Sequence, residues 1–145
     1  MDSRPVGVFD SGVGGLTVLH ECLVTMPHED FVYLGDHARL PYGPRTADEV
    51  RRFAHEIGGY LERHGVKMVV VACNTATSAA LPELQEELEV PVVSVIVPEA
   101  HAAVQATRNR RIGLLATELT VASGRYASLV RTLDAGARLT AIACP

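Results

Sequence analysis

Along this chain, short uninterrupted apolar runs alternate with longer stretches in which apolar residues return every three or four positions. The runs are "PVGVF" (5–9), "DFVYL" (30–34), "KMVVVA" (67–72), "PVVSVI" (91–96), "RIGLLA" (111–116) and a last one over Arg138–Ala143. The stretches between them predict helices from about Val13 to Met26, Thr46 to His64, Thr75 to Leu88, Glu99 to Thr107 and Leu119 to Leu133. Runs apolar at every position are strands covered on both faces, and their alternation with helices implies a parallel sheet between helical layers. The fold class expected is α/β: a three-layer, doubly wound domain with a mainly parallel sheet flanked by helices. No repeat, low-complexity tract or linker interrupts the pattern, so residues 1–145 read as a single domain.

In such sheets ligands bind outside the carboxyl ends of the strands, where helix N-termini direct their N–H groups. The segments on that rim are Asp10-Ser11-Gly12, Gly35-Asp36 with the loop to Gly43, Cys73-Asn74-Thr75, Val97-Pro98-Glu99 and Thr117-Glu118. The glycines of "FDSGVGGLTVL" (9–19) let a ligand approach the backbone, but Thr17 stands where a dinucleotide fingerprint needs its last glycine, and no Walker lysine follows. Asp10 can contact a ligand or simply cap the helix. In "VVVACNTATSAAL" (69–81), Cys73 stands where a buried strand gives way to a helix. Helix-terminal N–H groups would lower its pKa, whereas a buried cysteine at a strand end is inert; the polar company of Asn74, Thr75 and Thr77 favours function. The loop "YLGDHARLPYGPRT" (33–46) either clamps a small solute or is a rigid connection in which Asp36 and Tyr42 bond locally.

Composition narrows the partners. With 145 residues, 48% of them hydrophobic, the chain fills one core; its net charge is −4 and its 13 Lys and Arg residues are scattered, which gives no footprint for nucleic acid. No apolar run approaches the roughly 20 residues that cross a bilayer, and no signal-peptide pattern precedes the first strand, so a cytoplasmic protein without membrane contact is expected. The three cysteines, Cys22, Cys73 and Cys144, are too far apart for a disulfide framework or a zinc site and read as free thiols. Cys22 flanks a helical stripe of Leu16, Leu19 and Leu23, and Cys144 reads as structural. The six histidines show no metal-ligand spacing, and His37, in the polar loop, is the one that could act. No metal site is expected.

Taken together, "GVFDSGVGGLTVL", "YLGDHARLPYGPRT" and "VVVACNTATS" resemble, in this order and on these strand ends, the N-terminal half of the glutamate racemase family. "VIVPEAHAAV" (95–104) and "IGLLATELTVASGRYASLV" (112–130) extend the resemblance over essentially the whole chain, with Val97, Glu99 and Ala116 departing from the usual pattern. The resemblance implies cofactor-independent interconversion of L- and D-glutamate, the D-isomer serving peptidoglycan synthesis. It makes Cys73 one of two acid/base cysteines, the one on the D-glutamate face, with Asp10 assisting it. It makes Asp10, Ser11, Tyr42, Gly43, Asn74 and Thr75 substrate contacts, with Thr117 and Thr120 as weaker candidates. The family's second cysteine lies in a Gly-Cys-Thr-His motif that this sequence lacks, and "ACP" (143–145) resembles the junction into a second lobe. The expectation is therefore one lobe of a two-lobe enzyme, able to bind glutamate and inactive alone. Alternatives are a lobe of a racemase for aspartate or another amino acid, and a non-catalytic module for small anions. A homo-oligomer is a further expectation, since a face built to meet a second lobe favours self-association.

Overall fold

A computed structural model describes residues 2–144. In chain order the elements are β1 (Val6–Asp10), α1 (Gly15–Thr25), β2 (Phe31–Gly35), α2 (Ala47–Arg63), β3 (Met68–Val71), α3 (Asn74–Glu87), β4 (Val92–Ser94), α4 (Ile96–Ala106), β5 (Arg111–Ala116), α5 (Glu118–Ala122), α6 (Arg125–Leu133) and β6 (Arg138–Ala143). The α/β class with parallel strands is as the hydrophobic pattern predicts. Strands β2-β1-β3-β4 form one four-stranded sheet, and every pairing in it is parallel. The first crossover runs opposite to the next two, so right-handed connections place α1 on one face and α2 with α3 on the other. Central strand β1 is buried at every position, which explains its unbroken apolar run.

The main core lies between this sheet and the α2–α3 layer, with Phe9, Val50, Phe53, Leu61, Val69 and Leu84 among its buried members. Helix α2 starts at a capping box: Thr46 Oγ1 accepts from the Glu49 N–H at 3.2 Å, and Glu49 Oε2 accepts from the Thr46 N–H at 2.9 Å. Helix α1 is covered less. Leu16 and Leu23, expected on a buried stripe, are 46% and 48% exposed, and Cys22 sits at the flank. No helix among the described residues is long and apolar enough to cross a membrane.

The structure departs from the sequence-based expectation in two places. The alternation suggests one continuous sheet, but β5 and β6 pair only with each other, as a separate parallel two-stranded sheet with its own cluster of Ile96, Ala100, Tyr126 and Val130. The run "PVVSVI" is strand only over Val92–Ser94 and turns helical at Ile96; Pro98 falls in the first turn of α4, where its missing N–H is no loss. Likewise the helix predicted over Leu119–Leu133 is broken into α5 and α6 at Gly124, whose φ of 66° is left-handed. Ser123 seals the break, its hydroxyl donating to the Thr120 carbonyl at 2.7 Å and accepting from the Arg125 N–H at 3.3 Å.

Candidate active site

Parallel register brings the rim together. Asp10 is opposite Gly35, and the Ala72 N–H bonds the Phe9 carbonyl, so Asp10 and Cys73 end adjacent strands at one level. The turn after β1 is tight. Asp10 Oδ2 accepts from the N–H groups of Gly12 at 3.2 Å and Gly15 at 2.9 Å. A β-carbon at Gly15 would lie 2.6 Å from that of Asp10, and one at Gly35 would lie 2.4 Å from the Gly12 carbonyl oxygen, so both positions require glycine. The Gly12 carbonyl also accepts from the Tyr33 hydroxyl at 3.1 Å and faces His37 Nε2 at 3.3 Å. His37 thus serves the turn, and Asp10 is the cap that one reading of the sequence offered, while it also lines a cleft.

Cys73 is the N-cap of α3, and its Sγ accepts from the Ala76 N–H at 3.4 Å. The helix terminus therefore points donors at the sulfur, as anticipated. The pKa nonetheless moves the other way. Burial raises it, and the negative charge of Asp10 adds to the rise; the Ser11 hydroxyl and N–H and the Ala76 N–H act against it without overcoming it. At 4% exposure the cost of placing charge on sulfur exceeds what a few N–H groups return, and Cys73 rests as a thiol.

Asp10, Ser11, Cys73, Asn74, Thr75 and Glu99 line a single cleft of about 490 Å³. A larger, apolar groove of about 620 Å³ between α1 and α4 adjoins it through Thr17, Val18 and Glu99. Of the other predicted contacts, Thr117 reaches the cleft through Thr75, their hydroxyls being 3.0 Å apart. Thr120 is behind it, 1% exposed, accepting from the Thr117 hydroxyl at 3.0 Å. Tyr42 is 2% exposed and turns its hydroxyl into the protein, donating to Asp36 Oδ2 at 2.6 Å, away from the cleft. Asp36 also accepts from Arg39 Nε at 2.6 Å, and the Arg39 guanidinium lies 4.3 Å above the Phe53 ring and pairs with Glu56. This network fixes the loop that carries Gly43, which borders a neighbouring hollow with Pro41, Pro44, Glu118 and Cys144 and faces Thr117.

Sequence reasoning placed Glu99 on the rim without a role and did not single out Tyr126. The Tyr126 hydroxyl lies 3.1 Å from Asn74 Oδ1 and bonds Glu99 Oε2. Its partners are 52 and 27 residues away, so no local motif marks it. Among the described residues, no group of His, Cys, Asp and Glu is arranged to hold a metal ion.

The family model described as Asp/Glu/Hydantoin racemase matches residues 17–143. The glutamate racemase of Streptococcus equi subsp. equi (strain 4047) is 46% identical over 145 residues, 100% of this chain and 55% of that protein. A glutamate racemase isoform from Bacillus anthracis superposes with a TM-score of 0.94 at 43% identity, covering 100% of this chain and 55% of the other. The glutamate racemase of Francisella tularensis subsp. tularensis SCHU S4, solved in complex with D-glutamate, gives 0.87 at 33% identity over 97% of this chain and 53% of the other. The chain thus spans about half the length of the curated relatives it matches.

Proposed function

The chain belongs to the Asp/Glu/hydantoin racemase family, and from that membership we propose that it carries one half-site of a glutamate racemase, interconverting L- and D-glutamate without a cofactor. The observation that carries this reading is the Cys73 thiol, set at the N-cap of α3 beside Asp10 and Ser11 on the wall of a polar cleft.

Inverting Cα requires that a proton leave one face while another is delivered to the opposite face, so two acid/base groups must flank the substrate. Cys73 is one of them, on the D-glutamate face. As a thiol it is ready to deliver a proton to Cα; as a thiolate it would take one, and Asp10 beside it assists the transfer. The Asn74 and Thr75 N–H groups, in the first turn of α3, have no intrahelical acceptor and suit the α-carboxylate, whose negative charge grows as the proton leaves. Ser11, the backbone of Tyr42 and Gly43, and the hydroxyls of Thr75 and Thr117, with Thr120 behind them, complete the substrate contacts. The relatives' additional length supports placing the second base in another lobe, outside residues 1–145, so that this chain binds glutamate but does not racemise it at a useful rate. Supply of D-glutamate for peptidoglycan in the cytoplasm belongs to the same reading, and the free thiols suit that compartment. Leu115 and Ile142, 72% and 56% exposed on β5 and β6, support self-association of the isolated chain.

Proton exchange at Cα, followed by NMR in D2O from each isomer separately, tests the proposal with Cys73→Ala as control. Exchange of D-glutamate alone, lost in the variant, is expected; Cys73-independent exchange, or exchange of L-glutamate only, refutes the assignment. The raised, buried thiol favours one second reading, a lobe that binds small anions without chemistry. Under it, glutamate binding would be unchanged in Cys73→Ala and neither isomer would exchange. Competition between glutamate and aspartate separates the substrates the family description names.

A further inference from the structure

Tyr126 joins elements from both halves of the molecule. It projects from α6, in the cluster of the β5–β6 sheet, and its hydroxyl meets Asn74 in the first turn of α3 and Glu99 in the first turn of α4. Asn74 and Glu99 both line the cleft, whereas Tyr126 is 7% exposed and lies behind them.

The hydrogen count at this junction decides how Asn74 is turned. A phenol carries one hydrogen, and here both neighbours at its oxygen are oxygens, Asn74 Oδ1 at 3.1 Å and Glu99 Oε2. One hydrogen does not serve both. The Glu99 carboxylate can only accept, and a bond to a charged acceptor outweighs one to a neutral amide oxygen. Burial, followed by the bond to Glu99 and its charge, pushes the Tyr126 hydroxyl far above its ordinary value, so the phenol keeps that hydrogen. The second contact is then satisfied only if the amide donates. The two ends of a carboxamide have the same shape, and a half-turn of Asn74 puts its Nδ2 where the oxygen stands.

We propose that Tyr126 and Glu99 are positioning residues which hold the Asn74 carboxamide in one orientation: Asn74 Nδ2–H donates to Tyr126, Tyr126 O–H donates to Glu99, and Asn74 Oδ1 faces the cleft, where it accepts from the ammonium group of an amino-acid ligand. The inference rests on the amino-acid reading of the cleft and deepens it. The first turn of α3 then presents N–H donors for a carboxylate and, one side chain away, an acceptor for an ammonium, a pairing that favours an α-amino acid over a simple dicarboxylate. Without the phenol, Asn74 would turn freely and offer donor and acceptor alike.

NMR on the isotopically labelled 145-residue chain tests both parts. The orientation is read from nuclear Overhauser contacts between the Asn74 Nδ2 hydrogens and the Tyr126 ring hydrogens ortho to the hydroxyl, which are expected in the wild-type chain. Their absence, with both sets of signals assigned, overturns the proposal. Recognition is read by titrating D-glutamate and glutarate, which has both carboxylates and no ammonium, into the wild type and Tyr126→Phe. The variant should bind D-glutamate about tenfold more weakly, as loss of a bond to a charged group implies, with glutarate unaffected. Equal weakening of both ligands makes Tyr126 a merely structural residue, and no weakening of either removes its role; each overturns the proposal. A wild-type chain that shows the contacts yet binds neither ligand overturns the amino-acid reading of the cleft itself, and with it the recognition role of Asn74.

Discussion

Replacing Tyr42 by Phe removes one oxygen from a fully enclosed site, and its effect should change with pH in a direction set by the structure. Tyr42 is 2% exposed and donates to Asp36, itself 6% exposed, at 2.6 Å. Loss of a hydrogen bond to a buried charged group costs about 1.5–3 kcal/mol, so at pH 8 the variant should be less stable by that amount. Burial, then the bond to Asp36 and its charge, raise the Tyr42 hydroxyl far above its ordinary value of 10.0. A group raised on folding contributes stability that is complete below its unfolded pKa and is lost as pH climbs past it, because above about pH 10 the unfolded chain gives up a proton that the folded chain keeps. By pH 11.5 the wild type should have lost about 2 kcal/mol through Tyr42 alone, since one proton amounts to about 1.4 kcal/mol per pH unit. The phenylalanine variant has no such proton, so the deficit seen at pH 8 should shrink by about 2 kcal/mol and nearly vanish. Urea denaturation followed by circular dichroism, under reducing conditions from pH 8 to 11.5, measures this for both chains. Other groups titrating in that window cancel in the difference. A deficit that stays constant with pH would show that the Tyr42 hydroxyl is not held by Asp36 in the folded chain.

Ser11→Ala should slow alkylation of Cys73 by iodoacetamide about fivefold at pH 8, because it removes the hydroxyl that favours the thiolate; peptide mapping gives the rate, and an unchanged or faster rate would mean that Ser11 does not act on the sulfur. Thr46→Ala breaks the capping box of α2 and should lower stability by about 1 kcal/mol in a urea melt while leaving Cys73 alkylation unaltered.

The first sheet was legible because its strands are apolar on both faces: "VGVF" and "MVVV" have no polar side to confuse the period, although only β1 is buried at every position. The boundary at β4 was not. In "PVVSVI" strand and helix share the same apolar composition, so the pattern does not mark where Val92–Ser94 ends and α4 begins. Gly124 carried a signal that helical periodicity concealed, because Leu119 and Tyr126 keep a plausible spacing across the break. The rim residues Asp10, Ser11, Cys73, Asn74 and Thr75 could be assigned together because parallel strands of equal register deliver their ends to one place.

Chemical character followed burial more than position. A helix N-terminus at Cys73 argues for a thiolate, and the donors are present, but enclosure at 4% exposure raises the thiol instead. Sequence records which groups neighbour a residue along the chain and says little about how much water remains around it. The same limit applies to Tyr126, whose partners arrive from α3 and α4. These long-range contacts share a direction: Thr117 reaches Thr75 and Tyr126 reaches Asn74, so two residues associated with the β5–β6 unit grip the first turn of α3 beside Cys73. The cleft therefore does not belong to the four-stranded sheet alone. A displacement of the second unit would pull on both cleft-lining residues of α3 at once, which ties the geometry around Cys73 to whatever holds β5 and β6 in place.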